Sequence, residues 1–137
     1  MSKGRYEGMS APEMLLLGQA VLDSQPFSRL LGAQMTEFSL ERTTITIELR
    51  DELLQQHGFA HGGLVSYLAD NALTFAGGVQ LSGQVVTAEM KINYIRPAVG
   101  QRLVARAQAL SGGRTQAVAR CEIYAVKDGE EVLCAAA

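Results

Sequence analysis

The second half of this 137-residue chain contains four strand-like runs joined by very short turns. Turns of three or four residues, rich in glycine, separate consecutive runs. Strands joined by so few residues pair antiparallel, because a parallel pairing requires a crossover of a dozen or more residues. The sequence therefore predicts an antiparallel sheet over the runs 85–96, 102–110, 115–126 and 132–136.

A helical pattern precedes these runs. Between residues 61 and 76, Leu64, Leu68 and Phe75 fall on one stripe at helical spacing. The pair Gly77-Gly78 is predicted to end this helix. Residues 57–61, just before it, are predicted to form a loop.

The first fifty residues change from helical to strand-like periodicity. Residues 11–23 have the apolar spacing of a short helix, which Pro26 then breaks. Across residues 32–50 the pattern changes to alternation, with Ile45 and Ile47 on one side, which predicts a half-buried strand.

These patterns together predict an α+β fold, in which a curved antiparallel sheet of five or six strands wraps around one long central helix. A sheet with one apolar face must cover it, and the apolar stripe of the helix is its natural cover. A chain of this length forms one domain. We therefore expect a single domain over residues 1–137, with residues 1–31 as an N-terminal helical extension.

Composition and charge restrict the classes of function. Hydrophobic residues make up 47% of the chain and charged residues 19%, and no apolar stretch reaches the ~20 residues of a membrane span. The polar first ten residues lack the apolar core of a secretion signal, so a cytoplasmic location is expected. The net charge of −2 does not favour a nucleic-acid partner.

Cys121 and Cys134 lack metal-ligand spacing and are predicted to be buried or half-buried strand residues.

Positive charge is concentrated between residues 90 and 121, where six basic residues occur without an acidic one. One interpretation is a solvated basic edge of the sheet. The other is a surface suited to an anionic ligand, such as a nucleotide phosphate. The six residues are Lys91, Arg96, Arg102, Arg106, Arg114 and Arg120.

The glycine pair at the start of the predicted helix has a chemical interpretation. Helix N-termini present unpaired N–H groups that bind anions and developing oxyanions, and Gly62-Gly63 removes the side chains that would keep a carbonyl away. Glycines near helix starts are common, so this feature alone does not identify a site. His57 and His61 have helical metal-ligand spacing, but the glycines around them favour a loop rather than a metal site.

Asp70 is the acidic residue in the middle of this helix. It shares a helix face with Ser66 and Thr74, away from the apolar stripe, and a solvated outer face is the ordinary interpretation. Asp70 and Gly62 are eight residues apart, about 12 Å along the axis at ~1.5 Å per residue. One helix cannot bring both to one scissile carbon. If both serve one reaction, they must come from two copies of the chain, which predicts an isologous dimer.

The stretch 56–72, with its His-Gly-Gly motif and an aspartate seven positions after the second glycine, resembles the PaaI-like acyl-CoA thioesterases of the hotdog superfamily. The resemblance continues through 87–98, a strand that ends in Arg-Pro, and through 113–115, and it covers roughly residues 32–137. It implies a hotdog fold, hydrolysis of an acyl-CoA thioester, and homodimers joined edge to edge that often pair into tetramers.

The resemblance also implies roles for particular residues. Asp70 is expected to act as nucleophile or general base, and the Gly62 N–H of the other subunit is expected to polarise the thioester carbonyl. Gln55 stands where the family often has an asparagine that places the water or the carbonyl. Thr87 stands where relatives have a hydroxyl residue on the third strand, which is expected to hydrogen-bond the attacking water. Substrate contacts are expected from His61, which also has a structural role at the helix start, and from Gly63, Asn71, Arg96 and Arg114.

No metal or redox cofactor is required by this chemistry, because a thiol with a pKa of about 8.5 departs readily as thiolate. The acyl group is not specified, since four large residues suit either an acyl pocket or the core: Tyr67, Phe75, Met90 and Tyr94. Two alternatives stay open. A hotdog hydratase or dehydratase would use His57 or His61, and a non-catalytic acyl-CoA-binding or sensing protein would bind without turnover.

Overall fold

The computed structural model describes residues 4–81 and 83–137, and in this part of the chain one antiparallel sheet has six strands. The strands are β1 (Gln34–Phe38), β2 (Thr43–Glu48), β3 (Asn93–Tyr94), β4 (Arg102–Gly112), β5 (Ala117–Lys127) and β6 (Glu130–Ala136). Their order across the sheet is β1-β2-β4-β5-β6-β3. The helices are α1 (Ala11–Asp23), α2 (Pro26–Leu31) and α3 (Gly62–Leu81). The predicted α+β architecture is confirmed.

Helix α3 packs its apolar stripe against one face of the sheet. Leu64 and Leu68 are 5% and 0% exposed, as the spacing predicted. The facing strands contribute Ile45 and Ile123, which are fully buried. Removing each such aliphatic side chain from water stabilises the fold by about 1.5–3 kcal/mol. No helix in the described part of the chain has the length and apolar character needed to cross a membrane.

The predicted end of α3 at Gly77-Gly78 is wrong, because the helix continues to Leu81. A glycine inside a helix costs only about 1 kcal/mol, and tertiary packing can offset that cost. Both glycines lie against other parts of the chain. A Cβ on Gly77 would lie 3.7 Å from the Ala117 Cβ, and one on Gly78 would lie 3.4 Å from Val85 Cγ2. The pair therefore allows close packing instead of ending the helix.

The strand predicted over 85–96 is mostly wrong, because in the part of the chain that the structure describes only the two residues of β3 pair as a strand. Its two residues pair with the last two residues of β6, Ala135 and Ala136. Residues before 93 run past the end of β6, and none of the strands in residues 4–81 and 83–137 pairs with them. Residues 84–92, which we call the covering segment, instead lie along α3.

The N-terminal extension folds as two helices on the edge of the sheet. Helix α1 has the predicted bounds, and a reciprocal Ser10–Glu13 capping box stabilises its start. Pro26 follows the end of α1, as predicted, and is the first residue of α2. Its missing N–H has no cost there, because the first N–H groups of a helix have no acceptor within the helix. A Cβ on Gly18 would lie 2.5 Å from the Met35 sulfur, so α1 packs tightly on β1. Residues 1–3 of the predicted extension lie outside the described residues.

The alternating pattern over 32–50 forms a hairpin rather than one strand, since β1 and β2 pair antiparallel across the tight connection 39–42. Gly32, with a φ of +74°, ends α2 in the left-handed conformation that glycine adopts without strain. The sequence pattern predicted one strand here, and the connection 39–42 divides it into two.

The two cysteines are buried in the sheet, as predicted. Cys121 on β5 is 0% exposed and Cys134 on β6 is 2% exposed. Burial raises the pKa of the Cys121 thiol to about 12 and also raises the pKa of Cys134, because the thiolate would be poorly solvated there. Both thiols are therefore expected to be unreactive in the folded protein.

Candidate active site

Four residues spaced by four positions form one row along α3: Gly62, Ser66, Asp70 and Thr74. All four are half-buried, so the solvated outer face suggested by the helical periodicity is only partly correct. The Tyr94 hydroxyl lies 3.2 Å from the Gly62 carbonyl oxygen and 3.1 Å from Ser66 Oγ. The covering segment and β3 thus lie over this row.

The Asp70 carboxylate is held by a threonine of the covering segment. Thr87 Oγ1 donates a hydrogen bond of 2.5 Å to Asp70 Oδ1. Thr74 Oγ1 donates to the Asp70 carbonyl oxygen at 2.7 Å and lies 3.0 Å from Thr87 Oγ1. Asp70 Oδ2 makes no hydrogen bond to any of the described residues. One carboxylate oxygen is therefore oriented by the fold, and the other is available to a water or a substrate.

The start of α3 leaves one backbone donor unused. His61 Nδ1 accepts a hydrogen bond of 2.8 Å from the Gly63 N–H. The His61 carbonyl oxygen accepts from Leu64 N at 2.9 Å and from Val65 N at 3.2 Å. Within residues 4–81 and 83–137 the Gly62 N–H has no acceptor. His61 therefore caps the helix, and Gly62 presents the N–H that remains for an anion or an oxyanion.

These two groups do not meet within one chain. Gly62 and Asp70 lie on the same side of one continuous helix, eight residues apart. At ~1.5 Å per residue their separation along the axis is about 12 Å, far beyond the reach of one scissile bond. A site that uses both groups requires a second copy of the chain.

Gln55 lies in the loop before α3 and turns its side chain back onto that loop. Its Oε1 accepts hydrogen bonds from the backbone N–H groups of His57 and, at 3.4 Å, of Phe59. A single bridge between Leu54 and Ala60 closes the same loop. In this arrangement the oxygen of Gln55 stabilises the approach to the helix start, and the amide nitrogen is the part left to act on a ligand.

Asn71 lies on a different side of α3 from Asp70, beneath the N-terminal extension. It is 8% exposed. Its Nδ2 lies 3.0 Å from both Gln25 Oε1 and the Tyr67 hydroxyl, and 3.3 Å from Ser28 Oγ. No sequence pattern indicated this polar cluster, because its members are up to 46 residues apart. The cluster joins α2 to α3, and Asn71 also borders the cavity described below.

The structure does not bring the basic candidates together. Arg96 follows β3 near the start of α3, where Ala60 N donates to the Ala98 carbonyl oxygen at 3.0 Å. Arg114 is in the turn between β4 and β5, near the other end of α3, where a Cβ on Gly112 would lie 2.7 Å from the Gln80 Cβ. Only one of these two arginines lies near the Gly62 N–H of its own chain.

Arg106 is already paired. Its guanidinium donates two hydrogen bonds to the Glu131 carboxylate, at 2.7 and 2.6 Å. This contact holds the pKa of the Glu131 carboxyl below its usual value. The basic stretch is therefore partly neutralised by ion pairing on the outer face of the sheet.

A cavity of about 530 Å³ lies between the N-terminal extension and α3. Phe75 lines this cavity. Of the two interpretations given for Phe75, an acyl pocket and the core, this position is compatible with the first. Sequence reasoning missed the cavity because it exists only where α1 packs back on the later elements. Its walls come from α1, α3, β1 and the covering segment, among them Leu17, Val21, Phe38, Thr74, Gly78 and Val85.

Comparisons with known proteins indicate the family of this chain. The matching family model describes the thioesterase superfamily and spans residues 57–132. A Deinococcus radiodurans protein, provisionally named an esterase, is 36% identical over 109 residues, which cover 79% of this chain and 73% of that protein. The medium/long-chain acyl-CoA thioesterase YigI of Escherichia coli K12 is 23% identical over 130 residues, covering 80% of this chain and 81% of that one.

The fold can also be compared with solved structures. A variant of the phenylacetic acid degradation protein PaaI from Thermus thermophilus superposes with a TM-score of 0.69 at 31% identity. The superposition covers 82% of this chain and 95% of that one. The stretch matched by the family model contains every predicted site residue except Gln55.

Proposed function

The chain belongs to the thioesterase superfamily and has a PaaI-like hotdog fold, and from this we propose that it hydrolyses an acyl-CoA thioester to the free acid and CoA. The observation that carries the proposal is the state of two groups on α3. Asp70 has one carboxylate oxygen fixed by Thr87 and one unused, and Gly62 has an N–H without an acceptor in the described part of the chain. A nucleophilic or basic oxygen and an oxyanion donor are what thioester hydrolysis requires.

In this proposal the working site is shared by two copies of the chain. Strand β3 is at the edge of the sheet, and the covering segment before it pairs with no strand of the described residues. Large apolar side chains are exposed along this edge: Val86 is 91%, Tyr94 55% and Ile95 46% exposed. An unpaired apolar edge is suited to pairing with another strand. Two copies joined there as an isologous dimer, or as pairs of dimers, would form two equivalent sites.

The proposed reaction has two bond changes at the thioester carbon. A water oxygen attacks the carbonyl carbon while Asp70 Oδ2 accepts its proton, and the oxyanion that forms is bound by the Gly62 N–H of the partner subunit. The intermediate then collapses, the carbon–sulfur bond breaks, and the CoA thiolate takes the proton from Asp70. In the nucleophilic alternative, an Asp70 oxygen attacks the carbonyl carbon, the carbon–sulfur bond breaks and CoA leaves as the thiolate; water then hydrolyses the mixed anhydride, which restores the Asp70 carboxylate and supplies the proton that the thiolate takes up. Thr87 orients the carboxylate in both.

We propose further contacts to CoA from the positions of the remaining candidates. Arg96 lies near the start of α3 and is the basic candidate on the Gly62 side of the chain. Arg114 lies near the opposite end of α3 and would serve the Asp70 side. Gln55 retains an amide donor near the helix start, and His61 and Gly63 shape that end of the site by capping the helix. The hydratase alternative has less support, since His61 Nδ1 already accepts the cap hydrogen bond from Gly63 N–H and no contact among the described residues directs the imidazole of His57 or of His61 toward Asp70.

The proposal predicts thiol release from acyl-CoA. We expect the protein to release CoA, detected with a thiol-reactive dye, from at least one member of a panel that includes acetyl-, octanoyl-, benzoyl- and phenylacetyl-CoA. The buried Cys121 and Cys134 should give no background until the protein is unfolded. Binding of acyl-CoA without thiol release from any member would contradict hydrolysis and indicate a binding module, and a changed double bond would indicate a hydratase.

A further inference from the structure

We infer that the cavity between α1 and α3 receives the acyl group of the substrate, so that the N-terminal extension selects a medium-length apolar acyl chain. This inference rests on the proposed function and adds a substrate class to it. The cavity volume of about 530 Å³ is within the range of small-molecule sites, roughly 300–1,000 Å³. An acetyl group would leave most of that volume unfilled.

The cavity borders the proposed catalytic carboxylate. Thr74 is on its wall, and the Thr74 hydroxyl lies 3.0 Å from the hydroxyl of Thr87, which in turn donates to Asp70 Oδ1 at 2.5 Å. Val85 and Val86, the residues just before Thr87, also line the cavity. A thioester carbonyl placed at Asp70 would therefore direct its acyl chain past Thr74 and into this space.

The lining is largely apolar, with the amides of Gln25, Asn71 and Gln84 as uncharged polar groups, so it suits a hydrocarbon chain better than the nucleotide of CoA. Tyr6, Phe38 and Phe75 form a continuous aromatic wall, in which Phe38 makes edge-to-face contacts with the other two at 5.7 Å. Leu17 and Val21 of α1 add aliphatic surface opposite α3. Arg5 is the one charged side chain among the lining residues that the structure describes, too little to neutralise several phosphates. The CoA moiety is therefore expected to stay outside the cavity.

The glycines that line the cavity also shape it. A Cβ on Gly18 would lie 2.5 Å from Phe38 Cδ1, so α1 approaches β1 closely and carries Val21 to the rim. Gly78 presents no side chain from α3. Val21 is 39% exposed, which makes it a position where a larger side chain can narrow the cavity without disturbing the core.

The test compares Val21→Trp with Leu16→Trp. Leu16 is on the same helix, is 70% exposed and does not line the cavity. Its replacement therefore introduces a tryptophan on α1 without narrowing the cavity. We expect the unaltered protein to have a higher kcat/KM for octanoyl- and decanoyl-CoA than for acetyl-CoA, by about tenfold or more. Val21→Trp should lower kcat/KM for decanoyl-CoA about tenfold or more with little change for butyryl-CoA, and Leu16→Trp should change neither.

A binding measurement keeps this test separate from the proposed function. The thioether analogue of decanoyl-CoA is titrated calorimetrically into each variant, and we expect Val21→Trp to raise its Kd about tenfold relative to Leu16→Trp. Equal chain-length profiles and equal Kd values for the two tryptophan variants, with unfolding temperatures unchanged, would overturn the inference while leaving hydrolysis intact. If the unaltered protein hydrolysed none of the acyl-CoA substrates while the Kd difference between the two tryptophan variants remained, the proposed function would be overturned instead.

Discussion

Replacing Asp70 with asparagine is expected to lower kcat for the best acyl-CoA substrate by about 10²-fold or more. Asparagine has nearly the same shape, and its oxygen can still accept the hydrogen bond that Thr87 donates to Asp70 Oδ1. What is lost is the second carboxylate oxygen as a base or nucleophile. The measurement is steady-state CoA release, accompanied by thermal unfolding to show that the variant folds as the unaltered protein does.

The control for this change is Asp51→Asn. Asp51 is an exposed acid in a short 3-10 turn, so its replacement makes the same change in charge away from the row on α3. We expect its kcat to stay within about twofold, as is usual for surface substitutions. If Asp70→Asn were as active as Asp51→Asn, the family assignment would stand, but the carboxylate would have no part in the reaction.

Replacing Gly62 with proline is expected to lower kcat by about 10²–10³-fold, the usual cost of removing one oxyanion donor. The Gly62 N–H is the first of α3 and has no acceptor in the described part of the chain, so its removal breaks no hydrogen bond of the fold. Proline is well tolerated at a first helical position. A Cβ at residue 62 would lie 3.7 Å from Tyr94 Cε1, an ordinary contact distance. The measurement is kcat and KM with the same substrate.

The control for the proline variant is Gly62→Ala, which adds a Cβ but keeps the N–H. We expect the alanine variant to lose far less kcat than the proline variant. If the two lost equal activity, then the space at residue 62 would matter rather than its N–H group. A proline variant with full activity would exclude the Gly62 N–H as the oxyanion donor.

Much of the fold could be predicted because it depends on local patterns. Short turns determined the antiparallel pairing of β4, β5 and β6, and helical spacing together with Pro26 placed the bounds of α1. The errors arose where tertiary contacts override local preference. Gly77 and Gly78 have a low helix propensity, but they lie inside α3 because another part of the chain packs on them.

The site was predictable only in part. The resemblance implied that the Thr87 hydroxyl binds the attacking water, and it did not imply a contact with Asp70, which the structure shows at 2.5 Å. Helical periodicity alone favoured a solvated Asp70, because it carries no information on a segment that packs over the helix from elsewhere in the chain. The cavity between α1 and α3 and the cluster around Asn71 depend on the folding back of the N-terminal extension, so no sequence pattern indicated them.

The central claim, hydrolysis at a site shared by two copies of the chain, is tested most directly by mixing Asp70→Asn with Gly62→Pro subunits. Each variant alone has no intact site, but a mixed dimer combines the unaltered Asp70 of one chain with the unaltered Gly62 of the other. Random association after joint refolding makes about one quarter of all sites intact, so we predict recovery of about a quarter of the unaltered activity. A mixture no more active than the two variants measured separately would contradict a shared site.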